Sequence, residues 1–275
     1  MGVKKERVDV LLVERGLVET REKAKRAIMA GLVFTPEERI DKPGMKIEVD
    51  TPLEVKGKVM PYVSRGGLKL EKAIKVFDIQ LKDKTVLDIG ASTGGFTDCS
   101  LQNGAKLVYA LDVGYNQLAW KLRQDERVIV MERTNFRYVN PADLKHGLPN
   151  FSTIDVSFIS LKLILPVLKT ILADNSDVVC LVKPQFEAGK EEVGKKGIVR
   201  DRKVHVKVLH DIIQFAQTLG YYVKNASFSP ITGGEGNIEF LLHLYWNNKN
   251  INEQADIPID AEKIVQEAHE TLKEQ

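Results

Sequence analysis

Apolar positions open the chain at helical spacing: Leu11, Leu12 and Leu17 continue a face begun by Val8, which predicts a first short helix. Thr20 is placed to cap a second helix over Arg21–Ala30, which Gly31 closes. On that helix Ala24, Ala27 and Ile28 face inward, leaving Arg21, Lys25 and Arg26 outside with Lys23 beside them. Two brief extended runs follow, Leu32–Phe34 and Met45–Val49, on either side of the turn-rich stretch Pro36–Gly44. Two helices and a small sheet in about sixty residues make an appended module rather than a robust free-standing domain.

From Pro61 the pattern changes to strand-like runs alternating with helix-like ones. The strands predicted are Thr85–Ile89, Lys106–Leu111, Val128–Met131, Phe151–Asp155 and Val178–Val182. Such alternation argues for a parallel sheet covered by helices on both faces. A helix over Val204–Leu219 comes next, then two strands, Tyr222–Phe228 and Ile238–Trp246, joined by a loop short enough for an antiparallel pair. Ile264, Val265, Ala268 and Leu272 predict a last, peripheral amphipathic helix over Asp260–Leu272. The expected fold class is therefore α/β, a seven-stranded Rossmann-like sheet with a small α+β N-terminal domain. The expected boundaries are 1–60, 61–247 and an acidic tail over 248–275.

Composition adds a limited amount. The 275 residues carry a net charge of +2, but unevenly: residues 248–275 hold three basic and seven acidic residues, a balance of −4, so residues 1–247 stand at +6. Basic density peaks between Lys56 and Lys75, where six Lys or Arg face the single acid Glu71, a clustering compatible with a polyanion. Cys99 and Cys180 are the only cysteines and have no ligand spacing, so neither a disulfide framework nor a zinc site is indicated, and no metal is expected. Asp9 and Glu14 interrupt any signal-peptide core, and no segment approaches a membrane span, so a cytoplasmic protein is expected.

The chemistry concentrates at predicted strand ends, where open α/β sheets bind their ligands. Thr85–Ile89 runs into a glycine-rich turn, with the carboxylate Asp88 at the junction. Ser92 stands where a dinucleotide fingerprint needs glycine, and no Gly-Lys-Ser/Thr follows to make a P-loop. A second acid, Asp112, ends the next strand at the position of a ribose-binding carboxylate. Two acids at two strand ends fit an adenosine ligand without a pyrophosphate, and S-adenosylmethionine is the candidate. Asp88 is expected near its methionine portion, Gly90, Ala91, Ser92, Gly94, Gly95, Phe96 and Thr97 along its backbone, and Asp112 on its ribose. Asn135 is either an adenine contact or an ordinary loop residue. Asp155 closes the fourth predicted strand, Lys183 the fifth, and Glu239 opens the last, while Lys69 lies at the edge of a helix's buried face.

The run from Arg7 to Leu17, then Thr20 to Gly31, then Lys42-Pro-Gly, resembles the S-four RNA-binding domain, although Phe34-Thr-Pro replaces that family's usual Val-Asn-Gly turn. The resemblance implies RNA phosphate contacts for Arg15, Arg21 and Lys25, joined by Arg65 in the basic stretch. Lys69, Asp155, Lys183 and Glu239, in this order around the glycine turn, resemble the Lys-Asp-Lys-Glu tetrad of FtsJ-like RNA 2′-O-methyltransferases. The turn Asp88-Ile-Gly-Ala-Ser-Thr-Gly-Gly-Phe is similar to that family's Asp-Leu-Gly-Ala-Ala-Pro-Gly-Gly-Trp, departing at Ser92, Thr93 and Phe96. With Ser64-Arg-Gly-Gly-Leu-Lys-Leu, Asp155-Val-Ser-Phe and Lys183-Pro-Gln-Phe-Glu, the resemblance narrows to the TlyA family and covers about residues 5–246.

The resemblance implies 2′-O-methylation of a cytidine ribose in ribosomal RNA or a ribosomal subunit, with S-adenosylmethionine as donor and S-adenosylhomocysteine as product. Lys183 is then the group touching the hydroxyl, either a neutral amine base or a cation on the forming alkoxide. Asp155 and Glu239 orient it and Lys69 completes the charge network. A base-amino methyltransferase wants an Asn/Asp-Pro-Pro motif that Asp155-Val-Ser-Phe lacks. The alternatives are a haemolysin-type cytolysin, against which the lack of a signal peptide, span or alternating barrel pattern argues, and a non-catalytic ribosome-associated RNA-binding protein. The sequence leaves oligomeric state open.

Overall fold

The computed structural model describes residues 4–57, 60–248 and 257–272. The chain separates into two compact units, Met1–Pro61 and Tyr62–Gln275.

In the first unit, strand β1 (Lys5–Arg7) leads directly into helix α1 (Val8–Glu14), and α2 (Arg21–Met29) follows. Thr20 caps α2 through its side chain, which accepts from the Lys23 amide at 3.2 Å. Strands β2 (Val33–Phe34), β3 (Lys46–Glu48) and β4 (Glu54–Val55) complete the unit. The two extended runs read from the sequence do not pair with each other. β3 pairs with β1 and β2 with β4, both antiparallel. β1 and β4 are two or three residues long, too short to register as a period. Val8, Leu11, Leu12, Ala24, Ala27, Ile28 and Val33 form the core. Asp9 is fully buried beside it, 2.9 Å from Arg7 and 3.0 Å from Arg21, and the Arg7 hydrogen bond leads in holding its carboxyl down at about 2.

The second unit runs α3 (Gly66–Phe77), β5 (Thr85–Ile89), α4 (Gly95–Gln102), β6 (Leu107–Leu111), α5 (Trp120–Arg123), β7 (Val128–Met131), β8 (Phe151–Ile154), α6 (Leu161–Leu168), β9 (Ser176–Val182), α7 (Pro184–Glu187), α8 (Arg202–Thr218), β10 (Tyr222–Phe228), β11 (Phe240–Trp246) and α9 (Ala261–Leu272). Its seven strands lie in the order β10-β11-β9-β8-β5-β6-β7. β5 to β9 are parallel, and β11 is antiparallel to both neighbours. Alternate strand residues point into two separate cores: Leu87, Leu111 and Cys180 toward one, Val86, Val108 and Val179 toward the other. Burial on both faces explains why the inner strands of the sheet are largely apolar.

The last hairpin enters the sheet with β11 inside and β10 at the edge. Their side chains account for this: β11 is buried along its first five residues, whereas β10 buries only Val223 and Ala226 and leaves its other residues half-exposed. Helix α9 buries Ala261, Val265 and Ala268 in the same core as β9, packed on α8 and β10, with Ile264 only partly buried. Residues 249–256 and 273–275 of the acidic tail lie outside the described residues, as do residues 58 and 59 of the basic stretch.

Candidate active site

Sheet register assembles the site. Ile89 pairs with Ile154, so Gly90 and Asp155 are the next residues out on β5 and β8, and the Asp155 amide donates to Ile89 O at 3.0 Å. Val182 pairs with Phe240, so Lys183, just past the end of β9, and Glu239, just before the start of β11, meet at the same edge. Because β11 is reversed, it brings its entering end to where the parallel strands finish. Lys69 reaches this edge from α3, whose Leu70, Ala73 and Phe77 are buried against the sheet.

The four side chains form one chain of ion pairs. Lys183 Nζ lies 2.6 Å from Asp155 Oδ1, Lys69 Nζ 3.4 Å from Asp155 Oδ2, and Lys69 Nζ 2.7 Å from Glu239 Oε2. Two cations and two anions are thus held at the sheet edge, with the Lys69, Lys183 and Glu239 side chains at least nine-tenths buried. Burial by itself lowers the Lys69 pKa, but the charges of Asp155 and Glu239, with hydrogen bonds to both, outweigh it and leave the pKa raised. Lys69 is therefore a fixed ammonium. Lys183 Nζ also lies 3.4 Å from Ser157 Oγ, and Gln185 Nε2 3.4 Å from Glu239 Oε1. Gly233 must be glycine for space: a Cβ there would lie 2.0 Å from Glu239 Oε1.

All four line a cavity of about 740 Å³, together with Gly90, Ala91, Ser92, Gly95, Phe96 and Arg65. Its size is ordinary for a cofactor site. Gly90 takes φ +85°, and a Cβ on it would lie 2.3 Å from Asp155 O, so the turn can press on the neighbouring strand end only with glycine. Ser92 is also left-handed, at φ +50°.

The remaining cofactor candidates are not among these lining residues. Asp88 is fully buried, accepting from Thr97 Oγ1 at 2.7 Å and from Thr153 Oγ1 at 2.9 Å, the latter on the strand residue directly opposite. Burial raises its pKa to about 7. It and Thr97 brace the turn from beneath. Gly94 is filled in behind by Leu122, which a Cβ there would meet at 2.3 Å. Asp112 accepts from the amides of Ser92 and Gly114 at 2.8 and 2.7 Å, fastening the turn to the end of β6. Asn135 is exposed and caps its own turn, accepting from the Arg137 amide at 3.1 Å.

Ser157 and Phe158 of the Asp155-Val-Ser-Phe motif and Gln185 and Phe186 of the Lys183-Pro-Gln-Phe-Glu motif also line the cavity, as does Lys196, which no motif marks. Phe158 is 91% exposed at φ +63°, a conformation rare for a bulky side chain. An aromatic three residues past a strand-end acid was the available signal. Among the described residues no group of His, Cys, Asp and Glu could hold a metal ion, and no helix is long and apolar enough to cross a membrane.

In the first unit, Lys25 is exposed on α2. Arg21 is tied to Asp9 at 3.0 Å, and Arg15 donates to Thr51 O at 2.7 Å and to Val49 O. Both arginines thus buttress the module and keep unused N–H donors turned outward.

Residues 62–246 match the family model described as FtsJ-like methyltransferase, and residues 6–51 match that of the S4 domain. A Bacillus subtilis protein named "Putative rRNA methyltransferase YqxC" is 68% identical over 100% of this chain and 98% of that protein. The Mycobacterium tuberculosis 16S/23S rRNA (cytidine-2′-O)-methyltransferase TlyA is 39% identical over 98% of this chain and 97% of its own. Hemolysin A of Brachyspira hyodysenteriae is 44% identical over 86% of this chain and 98% of its own. A solved chain from Streptococcus thermophilus is 57% identical and covers 99% of this chain and 98% of its own, with a TM-score of 0.76.

Proposed function

Since the chain belongs to the FtsJ-like methyltransferase family and carries an S4 domain before its catalytic unit, we propose that it methylates the ribose 2′-hydroxyl of a cytidine in ribosomal RNA. The carrying observation is the chain of ion pairs Lys183–Asp155–Lys69–Glu239 opening on the cavity that the glycine turn lines. Ribosomal RNA and cytidine are the substrate and nucleoside in the TlyA relative's name.

S-adenosylmethionine, when bound, supplies a methyl group on a sulfonium, an electrophile that carries its own leaving group. Gly90, Ala91, Ser92, Gly95 and Phe96 are the residues that would hold it, with Asp112 at the β6 end for its ribose. What the protein must supply is a more nucleophilic oxygen in line with that methyl. Lys183 is placed for this: its Nζ, fixed at 2.6 Å from Asp155, has further positions for the 2′-oxygen. When the 2′-oxygen takes the methyl group, the hydroxyl proton would pass to the Lys183–Asp155 pair, held 2.6 Å apart at the cavity edge. Lys69 stays charged throughout and keeps Asp155 and Glu239 from repelling each other. Phe158 offers the cytosine a ring face, since base–aromatic stacking contributes about 1–3 kcal/mol. Lys25, Arg21, Arg15 and Arg65 take RNA phosphates, which position the substrate without reading its bases. Work on ribosomal RNA puts the enzyme in the cytoplasm.

The test is mass mapping of ribose methylation in ribosomal RNA from cells with and without the protein, repeated with Lys183→Ala. A cytidine 2′-O-methyl that disappears in both the null and the variant is expected. An unchanged map removes the reading, and full methylation by Lys183→Ala removes Lys183 from its centre.

A further inference from the structure

A second, open depression of about 440 Å³ adjoins the catalytic cavity and is used by nothing above. Arg137, Phe158, Ile159, Ser160, Leu163 and Phe186 line it. Phe158 and Phe186 also line the catalytic cavity, so these two rings are the wall between the two spaces. Their centroids are 5.0 Å apart and their planes are inclined by 50°. A flat base can lie parallel to only one of two rings set at that angle, so the wall has a face for each of two bases.

The wall is built to stay put. Phe158 holds a left-handed φ while 91% exposed, so no burial of its own ring accounts for the strain. The loop that carries it is stapled to the Lys183 loop by Glu187, whose carboxylate accepts from the Leu161 amide at 2.8 Å and from Ser160 Oγ. On the catalytic side the Phe186 ring lies 6.0 Å from Lys183 Nζ. On the far side, half-exposed Leu163 and Ile159 give an apolar floor, and exposed Arg137 stands at the rim as a cation with donors for a phosphate. The two ring faces share one wall whose centroids are 5.0 Å apart, a spacing that suits bases splayed apart on a single ribose–phosphate link.

Resting on the methyl-transfer reading, we propose that this depression takes the base of the nucleotide adjoining the methylated cytidine, with Arg137 on the phosphate between them. The enzyme then reads the company of its target as well as the target.

The experiment uses the full-length protein and a labelled ribosomal RNA fragment containing the mapped cytidine, made intact or with an abasic ribose at either neighbour. Binding is followed by anisotropy. For the wild type, one of the two abasic fragments should bind about ten-fold more weakly than intact RNA. Leu163→Trp, which fills the depression, should bind intact RNA about ten-fold more weakly and be indifferent to the same abasic substitution, while its S-adenosylmethionine affinity, unchanged, reports a folded catalytic unit. Wild-type binding equal for all three fragments overturns the proposal, and so does wild-type behaviour of Leu163→Trp. Methyl transfer is scored separately. Neighbour-dependent binding without transfer fells the enzymatic reading and leaves the pocket, transfer without neighbour dependence fells the pocket alone, and a map with no methylated site fells both.

Discussion

Replacing Lys69 by Met removes the one cation shared by two carboxylates. Its Nζ sits 2.7 Å from Glu239 Oε2, and the Glu239 side chain is 2% exposed, so the variant buries an anion whose remaining partner is Gln185 Nε2 at 3.4 Å. Taking one member out of a buried ion pair costs about 3–5 kcal/mol. For a unit of this size each kcal/mol moves the midpoint by roughly 2–4 °C, so Tm should fall by about 6–20 °C. The double variant Lys69→Met/Glu239→Gln removes the stranded charge as well and should recover more than half of that loss, because a neutral pair carries no ionic desolvation. The measurement is thermal unfolding of wild type, both single variants and the double variant, in one buffer between pH 6 and 9. In the wild type Lys69 adds no slope there. A lysine raised in the fold stabilises fully below its unfolded value of about 10.4 and loses that contribution only as pH climbs through the higher folded value. The reasoning is refuted if Lys69→Met unfolds within 2 °C of wild type, on the order of the shift from less than 1 kcal/mol, or if the double variant is as unstable as the single one.

Gly90→Ala places a methyl group 2.3 Å from Asp155 O at φ +85°, so it should abolish cofactor binding in a calorimetric titration and lower Tm by several degrees. Asp88, raised to about 7 by burial, is protonated in the fold where the unfolded chain has already ionised; its contribution to stability is lost as pH rises through that value. Asp88→Asn should therefore show a smaller fall in Tm between pH 5 and 8 than wild type, and equal slopes would contradict the assignment. Deleting residues 1–60 should weaken ribosomal RNA binding far more than S-adenosylmethionine binding, and should flatten the salt dependence of the RNA affinity that remains.

The inner strands of the large sheet announced themselves in the sequence because they are buried on both faces, and largely apolar runs are what such burial selects. Asp155, Lys183 and Glu239 were legible for a related reason: they occupy strand ends, and strand ends are where apolar runs stop, while Lys69 shows only as a lysine at the edge of a helix's buried face. Less visible was anything set by contacts between distant segments. The inner place of β11 follows from how much of it is buried, which the polar Lys224-Asn225 in β10 hinted at only by contrast. Asp88 read as a ligand carboxylate, yet Thr153 on the neighbouring strand draws it inward. Arg15 read as a phosphate contact, yet two carbonyls some thirty-five residues along the chain also claim its guanidinium. Phe158 was in plain sight within a quoted motif, but its left-handed backbone and exposed ring are properties of a loop that no periodicity describes.

The reversed last strand has a consequence for how the protein is made. Lys69, Asp155 and Lys183 emerge from the ribosome well before Glu239, which joins Lys69 across 170 residues of chain and arrives only with the strand that lies between β9 and β10. Contacts so remote in sequence form late, since the loop has to close before they can reward it. A nascent or truncated chain can therefore present the glycine turn and three of the four charged groups while its Lys69 still lacks half of its counter-charge. The tetrad closes only when the last strand is in place, so a chain interrupted before it lacks Glu239 at that sheet edge.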